Sequence, residues 1–272
     1  MIVISTVSAI AALLGGVYFY MHWTTYRPRV ETLDIAVFGE RAEQNLHVLH
    51  LTDLHMEKIS VTPEKLRVIL ANQPIDLIAL TGDFLENPRH IPKLRRYLDI
   101  LAEKEPTIGL YAVLGNHDYI LPREGLGELQ SLFQEMGVKL LRNEHTSVSW
   151  QGELLHIVGI DDAYTRHDDL TAAFTGLPSE GKRLVLSHDP TVVLKAHSYS
   201  YDYLLSGHFH GGQILWPKPY HLSKMSPLPK LNMVKGLHYY GDKPFYISEG
   251  LGQTGINARF RSRPEITFHR LG

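Results

Sequence analysis

The sequence contains no cysteine. Disulfides and thiolate metal sites are therefore excluded, and any transition-metal centre must use imidazole, carboxylate or amide ligands. An excess of one charge is also missing. The 27 Lys and Arg and 29 Asp and Glu leave a formal net charge of -2, so no polyanionic partner such as nucleic acid is expected. Internal repeats and low-complexity tracts are absent. Two local absences stand out: no charged side chain from Ile2 to Tyr26, and no acidic one from Gln213 to Gly241. What the chain has in abundance is histidine, 16 in 272 residues. Most histidines serve surfaces or packing, so position must separate ligands from the rest.

The uncharged start reads as a membrane anchor. Ile2 to Tyr20 is apolar apart from Ser5, Thr6, Ser8 and the Gly15-Gly16 pair. A helix of about 20 residues spans the roughly 30 Å hydrocarbon core of a bilayer. Tyr18, Tyr20 and Trp23 fall where an interfacial aromatic belt lies. A cleaved signal peptide fits less well. No Lys or Arg precedes the run, and bulky residues replace the small-residue cleavage site. The predicted organisation is a transmembrane anchor over 1–25, a linker and leading strand over 26–45, and one catalytic domain over 46–272. Arg27 and Arg29 follow the span, so the positive-inside rule puts the domain in the cytoplasm.

Beyond residue 45, short apolar runs alternate with amphipathic stretches. Strands are predicted at Leu46–Leu51, Asp76–Leu80, Ile108–Leu114, Leu154–Ile160, Arg183–Leu186, Tyr201–Leu205 and Phe245–Ile247. Helices are predicted at Pro63–Asn72, Ile91–Glu103, Arg123–Met136 and Asp168–Phe174. Thr62 reads as an N-cap with Pro63 at the first helical position, and Gly137 as a helix stop. The βαβ rhythm predicts an α/β layered domain with the first three strands parallel. The shorter later connections predict antiparallel additions in a mixed or second sheet. Trp216–Lys230 reads as a loop.

Five apolar runs end in possible metal ligands: Thr52-Asp53-Leu54-His55, Thr81-Gly82-Asp83, Gly115-Asn116-His117-Asp118, Ser187-His188-Asp189, and Ser206-Gly207-His208-Phe209-His210. Ligands of open α/β sheets bind outside the carboxyl ends of strands. Neighbouring strands are about 4.8 Å apart, so groups on adjacent ends can converge on ions roughly 3.5–4 Å apart. Asp53 and His55, like His208 and His210, would share a face in extended geometry. Gly82, Gly115 and Gly207 permit unusual dihedrals and close backbone approach. Any one block occurs often by chance; all five together do not suit a structural protein. His47 and His50 precede their strand's end and read as packing residues. His22, His90, His145, His221 and His269 read as surface or interfacial.

Taken together, Asp-x-His, Gly-Asp, Gly-Asn-His-Asp, a lone His and Gly-His-x-His resemble the calcineurin-like metallophosphoesterase superfamily. The Gly207–Gln213 form is similar to its bacterial membrane-associated branch, which includes UDP-2,3-diacylglucosamine pyrophosphatase-like and cell-envelope phosphoesterases. The resemblance implies a four-layer α/β/β/α sandwich with two mixed sheets. It implies one metal on Asp53, His55 and His210, another on Asn116, His188 and His208, and Asp83 bridging both. His117 would be the catalytic histidine and Asp118 its orienting partner. Two divalent cations so held would activate a water for in-line attack on phosphorus. Nitrogen and oxygen donors suit manganese, iron, cobalt or zinc.

The expected function is a membrane-anchored, dinuclear-metal phosphodiesterase or pyrophosphatase acting on a phosphoester, with a lipid-linked or envelope substrate in view. A protein or small-molecule phosphomonoesterase is the alternative within the superfamily. A metal-binding scaffold without turnover is the alternative outside enzymes, and the complete ligand set argues against it. Four lysines (Lys218, Lys224, Lys230 and Lys235), interleaved with apolar residues between Gln213 and Gly241, suit either a membrane-facing rim or a solvated loop. Gly250–Gly255 reads as a turn rather than a phosphate-binding loop. Among Arg259, Arg261 and Arg263, either surface charge or a reach to substrate phosphate is open.

Overall fold

The computed structural model describes residues 2–38, 45–216 and 219–272, without the side chains of residues 2–5, 7 and 220. The chain runs α1 (Ile2–Thr24), β1 (Arg29–Ile35), β2 (Leu46–Leu51), α2 (Pro63–Leu70), β3 (Leu77–Thr81), α3 (Ile91–Ala102), β4 (Gly109–Val113), α4 (Arg123–Glu135) and β5 (Val138–Leu140). It continues through β6 (Glu144–Trp150), β7 (Glu153–Ile160), α5 (Leu170–Phe174), β8 (Lys182–Ser187), α6 (Val193–Ala196), β9 (Tyr203–Ser206), β10 (Gly236–Tyr240), β11 (Lys243–Ile247) and β12 (Glu265–Leu271).

Two six-stranded mixed sheets result, ordered β1-β12-β2-β3-β4-β5 and β10-β11-β9-β8-β7-β6. Period-two alternation sorts the side chains into three apolar layers. Leu49, Leu51, Ile78 and Leu80 face one side of the first sheet, against Leu66 of α2, Leu94 and Leu98 of α3, and Phe133 of α4. Their alternates Leu46, Val48, Leu77 and Ala79 meet Leu155, Ile157, Leu184 and Leu205 of the second sheet. Val158, Val185, Leu204 and Phe245 pack outward against α5 and α6, through Ala173 and Val193. This is an α/β/β/α sandwich.

Local chemistry sets several boundaries. The hydroxyl of Thr62 accepts from the backbone N–H of Lys65 at 3.2 Å, with Pro63 starting α2. Gly137 ends α4 with φ of +68°. Other expectations are corrected. The short connections among β7, β8 and β9 join parallel strands, not antiparallel ones. The segment between β8 and β9 carries α6 over the outer face, which makes a parallel return possible. Among the described residues antiparallel pairing is confined to β6, β10 and the β12–β2 pair. The 217–218 part of the expected Trp216–Lys230 loop lies outside the described residues; the remainder holds two 3-10 turns, Tyr220–Lys224 and Leu228–Leu231.

The expected transmembrane span over residues 1–25 is not supported: among the described residues no helix is long and apolar enough to cross a membrane. The side chains of 2–5 and 7 lie outside that description. What stands there is a 23-residue helix whose apolar side chains are exposed, Leu13 by 67% and Phe19 by 69%. Its end docks on the domain. The Thr24 hydroxyl donates to the carbonyl of Arg259 at 2.7 Å, and the Arg259 N–H donates to that of Met21 at 3.0 Å.

Candidate metal centre

All five polar blocks converge at the carboxyl ends of the strands, where the two sheets meet. The means of convergence differs from the expected extended alternation. Asp53, His55, Asp83, His208 and His210 all have positive φ, between 38° and 72°. Each such residue costs on the order of 1–3 kcal/mol, and the surrounding structure must hold it there. The His55 N–H donates to the carbonyl of Asp83 at 3.0 Å, stitching two of these turns together. Close glycine packing makes room for them: a Cβ on Gly115 would stand 2.2 Å from Asp83 Oδ1. Gly250–Gly255 is no phosphate loop. It backs the Asp53 turn, with the Leu251 and Gly252 N–H groups donating to the carbonyls of Thr52 and Asp53.

Two sets of donor atoms result. Asp53, His55, Asp83 and His210 form one and Asp83, His188 and His208 the other; both are buried, and Asp83 belongs to each. His210 Nε2 lies 3.1 Å from Asp53 Oδ1 and 3.1 Å from His55 Nε2. Asp83 Oδ2 lies 3.5 Å from His55 Nε2 and 3.1 Å from His188 Nε2. His208 Nδ1 is 3.2 Å from His188 Nε2. The other oxygen of each carboxylate is already committed. Asp83 Oδ1 accepts from the His117 N–H at 2.8 Å, and Asp53 Oδ2 from the Thr52 hydroxyl at 2.8 Å and the His208 N–H at 3.1 Å.

These donors fit a cation. Asp53 Oδ1 and Asn116 Oδ1 are buried without a hydrogen-bond partner. His188 donates its Nδ1–H to the carbonyl of Thr81 at 2.7 Å, which leaves a neutral ring's Nε2 lone pair facing a carboxylate oxygen. That contact repels unless positive charge stands between. The electrostatics say the same. Burial opposes charge on His188, yet Asp83, Asp53 and Asp162 outweigh it and hold its pKa well above the usual value. Burial likewise opposes charge on Asp83, but His188 and His55 hold it well below. His55 and His208 are pushed by burial to about 3, so they are neutral ligands at physiological pH. Burial lifts Asp53 to about 6.

His117 stands at the rim, with Nε2 4.0 Å from Asp83 Oδ2. Asp118 does not orient it. The Asp118 carboxylate is buried and accepts the backbone N–H groups of Asp83 (2.9 Å), Phe84 (2.7 Å), Leu85 (3.3 Å) and Gly115 (2.8 Å). It fastens the Asp83 turn to the Gly115 turn. The partner of His117 is Glu86, whose Oε1 lies 2.6 Å from Nδ1. Sequence reasoning missed Glu86, which follows Asp83 by three residues in a loop. It also missed a sixth strand end. β7 runs into Asp161-Asp162, where Asp162 Oδ1 is buried without a partner, and Tyr164 lies 5.0 Å from His208, centroid to centroid. The strand-end rule would have found both.

A cleft of about 530 Å³ leads away from the centre, walled by Asn116, His117 and His208 at one end and Phe209, Leu222 and Met225 at the other. Arg259 does not reach into it. Its guanidinium is buried and donates to the carbonyls of Glu249 (2.8 Å), Gly250 (3.1 Å) and Gly252 (2.5 Å), close to His210.

Buried imidazoles and carboxylates at the facing strand ends of an α/β/β/α sandwich define a divalent-metal hydrolase. The chain belongs to the calcineurin-like phosphoesterase family, whose sequence model matches residues 46–212. It is a metal-dependent phosphoester hydrolase. It is 53% identical over 233 residues to the metallophosphoesterase YkoQ of Bacillus subtilis, covering 86% of each chain. It is 28% identical to the phosphodiesterase YaeI of Escherichia coli, covering 87% of this chain and 86% of that one. The fold is shared with the sulfate thiohydrolase SoxB of Thermus thermophilus, at 12% identity and a TM-score of 0.51, over 86% of this chain and 58% of that one.

Proposed function

We propose that this protein hydrolyses a phosphodiester or pyrophosphate bond with two divalent cations. One cation is held by Asp53, His55, Asp83 and His210, the other by Asp83, Asn116, His188 and His208. The observation that carries this is Asp83 Oδ2, one oxygen set between two groups of imidazole nitrogens. Cations so placed would lower the pKa of a shared water and polarise the phosphoryl oxygens. The donor set suits manganese, iron, cobalt or zinc.

The chain's own residues supply the rest. The Glu86 carboxylate accepts Nδ1–H of His117 and turns Nε2 towards the centre. Protonated, that nitrogen can donate to the leaving oxygen. The Asp118 cage holds the Asp83 and Gly115 turns in register. An apolar wall beyond the histidines leaves room for a second ester group, which supports a diester or pyrophosphate whose leaving portion carries an apolar, lipid-like group. The likeness to a phosphodiesterase agrees with that choice.

Membrane attachment through α1 belongs to the same proposal. Its support is the exposed apolar surface of the helix and the absence of charge from Ile2 to Tyr26. Arg27 and Arg29 after the helix favour a cytoplasmic domain. Hydrolysis of bis-p-nitrophenyl phosphate by the purified chain, with manganese supplied and then chelated, tests the chemistry. Asp83→Ala should lose metal and turnover together, whereas His117→Ala should keep metal and lose turnover. Activity that survives both changes would overturn the assignment. Alkaline washing of expressing membranes tests the anchor: the full chain should stay with the lipid, and a chain beginning at Arg27 should be released.

A further inference from the structure

A second cavity, of about 440 Å³, opens at the foot of α1, and Tyr20 and Thr24 of that helix form part of its wall. It shares no lining residue with the metal cleft. Four cations face it, Arg29, Lys235, Arg261 and Arg263, against the one carboxylate of Glu249.

The charges do not cancel. Glu249 is buried, 2.9 Å from Lys235 Nζ and 3.4 Å from the Arg29 guanidinium. Arg29 also pairs with Glu265 at 2.9 Å and Glu31 at 2.8 Å. Those two cations are satisfied. Arg261 and Arg263 have no carboxylate partner among the described residues. Arg263 donates Nε–H to the carbonyl of Arg27 at 2.8 Å, which fixes its direction. Arg261 sits in a left-handed residue (φ 56°), its guanidinium 5.7 Å from the ring of Phe260. Four cations against the three carboxylates of Glu249, Glu265 and Glu31 leave a surplus of one positive charge, carried by the two exposed guanidiniums of the concave site. A guanidinium is a planar fork that matches phosphate oxygens bidentately.

Position selects the source of that phosphate. The exposed apolar side chains of α1 end in Tyr20 and Trp23, residues suited to a membrane interface. The Arg27 guanidinium lies 3.8 Å from the Trp23 ring centroid, so cationic charge begins where the apolar surface stops. Lipid headgroups beside such a helix would be level with the cavity mouth. Lys235 also borders a neighbouring cleft of about 510 Å³ that holds Lys230, which extends the basic surface. Anionic leaflets attract such surfaces.

We propose that this cavity binds the phosphate of an anionic phospholipid headgroup, seating the hydrolase at the bilayer surface. The proposal rests on the reading of α1 as membrane-embedded. Short-chain phosphatidylglycerol, short-chain phosphatidylcholine and inorganic phosphate are titrated separately into the full chain in a non-ionic detergent, following the thermal unfolding midpoint. Phosphatidylglycerol should raise the midpoint saturably, and the other two should not. Arg261→Gln with Arg263→Gln should weaken that response by about tenfold while circular dichroism and hydrolysis of bis-p-nitrophenyl phosphate stay unchanged. An equal response to phosphatidylcholine, or an unaltered response in the double variant, would overturn the proposal. So would an equal response to inorganic phosphate, which would make this a free-anion site. Release of the full chain by alkaline washing would defeat the anchor reading instead, and the two failures are read independently.

Discussion

His50 and His55 stand five residues apart at the end of one strand. Both are buried, and burial pushes both to about 3. Only His55 belongs to the metal centre. His50 lies inside β2, in regular strand geometry, with Nε2 2.8 Å from the hydroxyl of Thr81. It shares the layer between the sheets with His269, itself 3.2 Å from the hydroxyl of Tyr203. Among the described residues no carboxylate pairs with either ring. His55 lies one turn beyond the strand, at positive φ, facing Asp83. Burial of histidine therefore does not make a metal site. Carboxylates with an uncommitted oxygen do, together with backbone held in a costly conformation so that lone pairs face each other.

The largest effect should come from breaking the shared oxygen. Asp83→Asn removes the charge common to both donor sets and should reduce turnover on the order of 10³-fold, with metal content lost by elemental analysis. Metal content at the wild-type level would show that the two sets do not share Asp83.

The inter-sheet layer should declare itself in acid stability. An unfolded histidine binds its proton near pH 6.5, whereas folded His50 binds only near 3. The unfolded state thus takes up the extra proton, and this contribution falls as pH drops from about 6.5 towards 3. Asp118, lifted to about 7 by burial and by Asp83, works in the opposite sense, so the total is a difference. Comparing His50→Phe with the parent isolates the one group. Relative to its value at pH 8, the variant should gain about 2–3 kcal/mol on the parent by pH 4.5 in urea titrations. Parallel pH profiles would mean that His50 is hydrated in the folded protein.

A smaller loss is expected at the rim. Glu86→Gln keeps the shape but removes the carboxylate from His117 Nδ1. Turnover should fall about 10–100-fold with metal content retained, because the ring of His117 loses the acceptor that sets its direction. Unchanged turnover would show that Glu86 does not position His117 for the reaction.

The strand ends were legible because apolar runs and ligand blocks are local signals. His47 and His50 could be set aside because they precede their strand's end. The partner of β1 was not legible, since Arg29 aligns with Glu265 across almost the whole chain. The left-handed turns were hidden too: Asp-x-His suggests an extended pair, and the close packing of Gly250, Gly252 and Gly115 that accommodates the turns is a tertiary feature. Asp118 follows His117 in sequence, which suggested contact; the turn sends its carboxylate back to four amides instead. Arg259 stood open between surface charge and a reach to phosphate, and is neither, because nothing local indicates that several carbonyls surround it. His269 read as surface or interfacial for the same reason, although it is fully buried between the sheets.

That misread histidine offers the finest test of the comparison. His269→Phe keeps approximate volume in the inter-sheet layer and leaves the Tyr203 hydroxyl without its partner. An unpaired buried hydroxyl costs about 1–3 kcal/mol, while the ring's own unpartnered Nε2 is removed, so the net loss in urea at pH 8 should be about 1 kcal/mol. Turnover and metal content should not change, because the layer touches neither donor set. A fall in turnover with metal affinity intact would mean that the two buried histidine groups are mechanically linked through β12 and β2, and the separation between a packing layer and a metal centre would have to be redrawn.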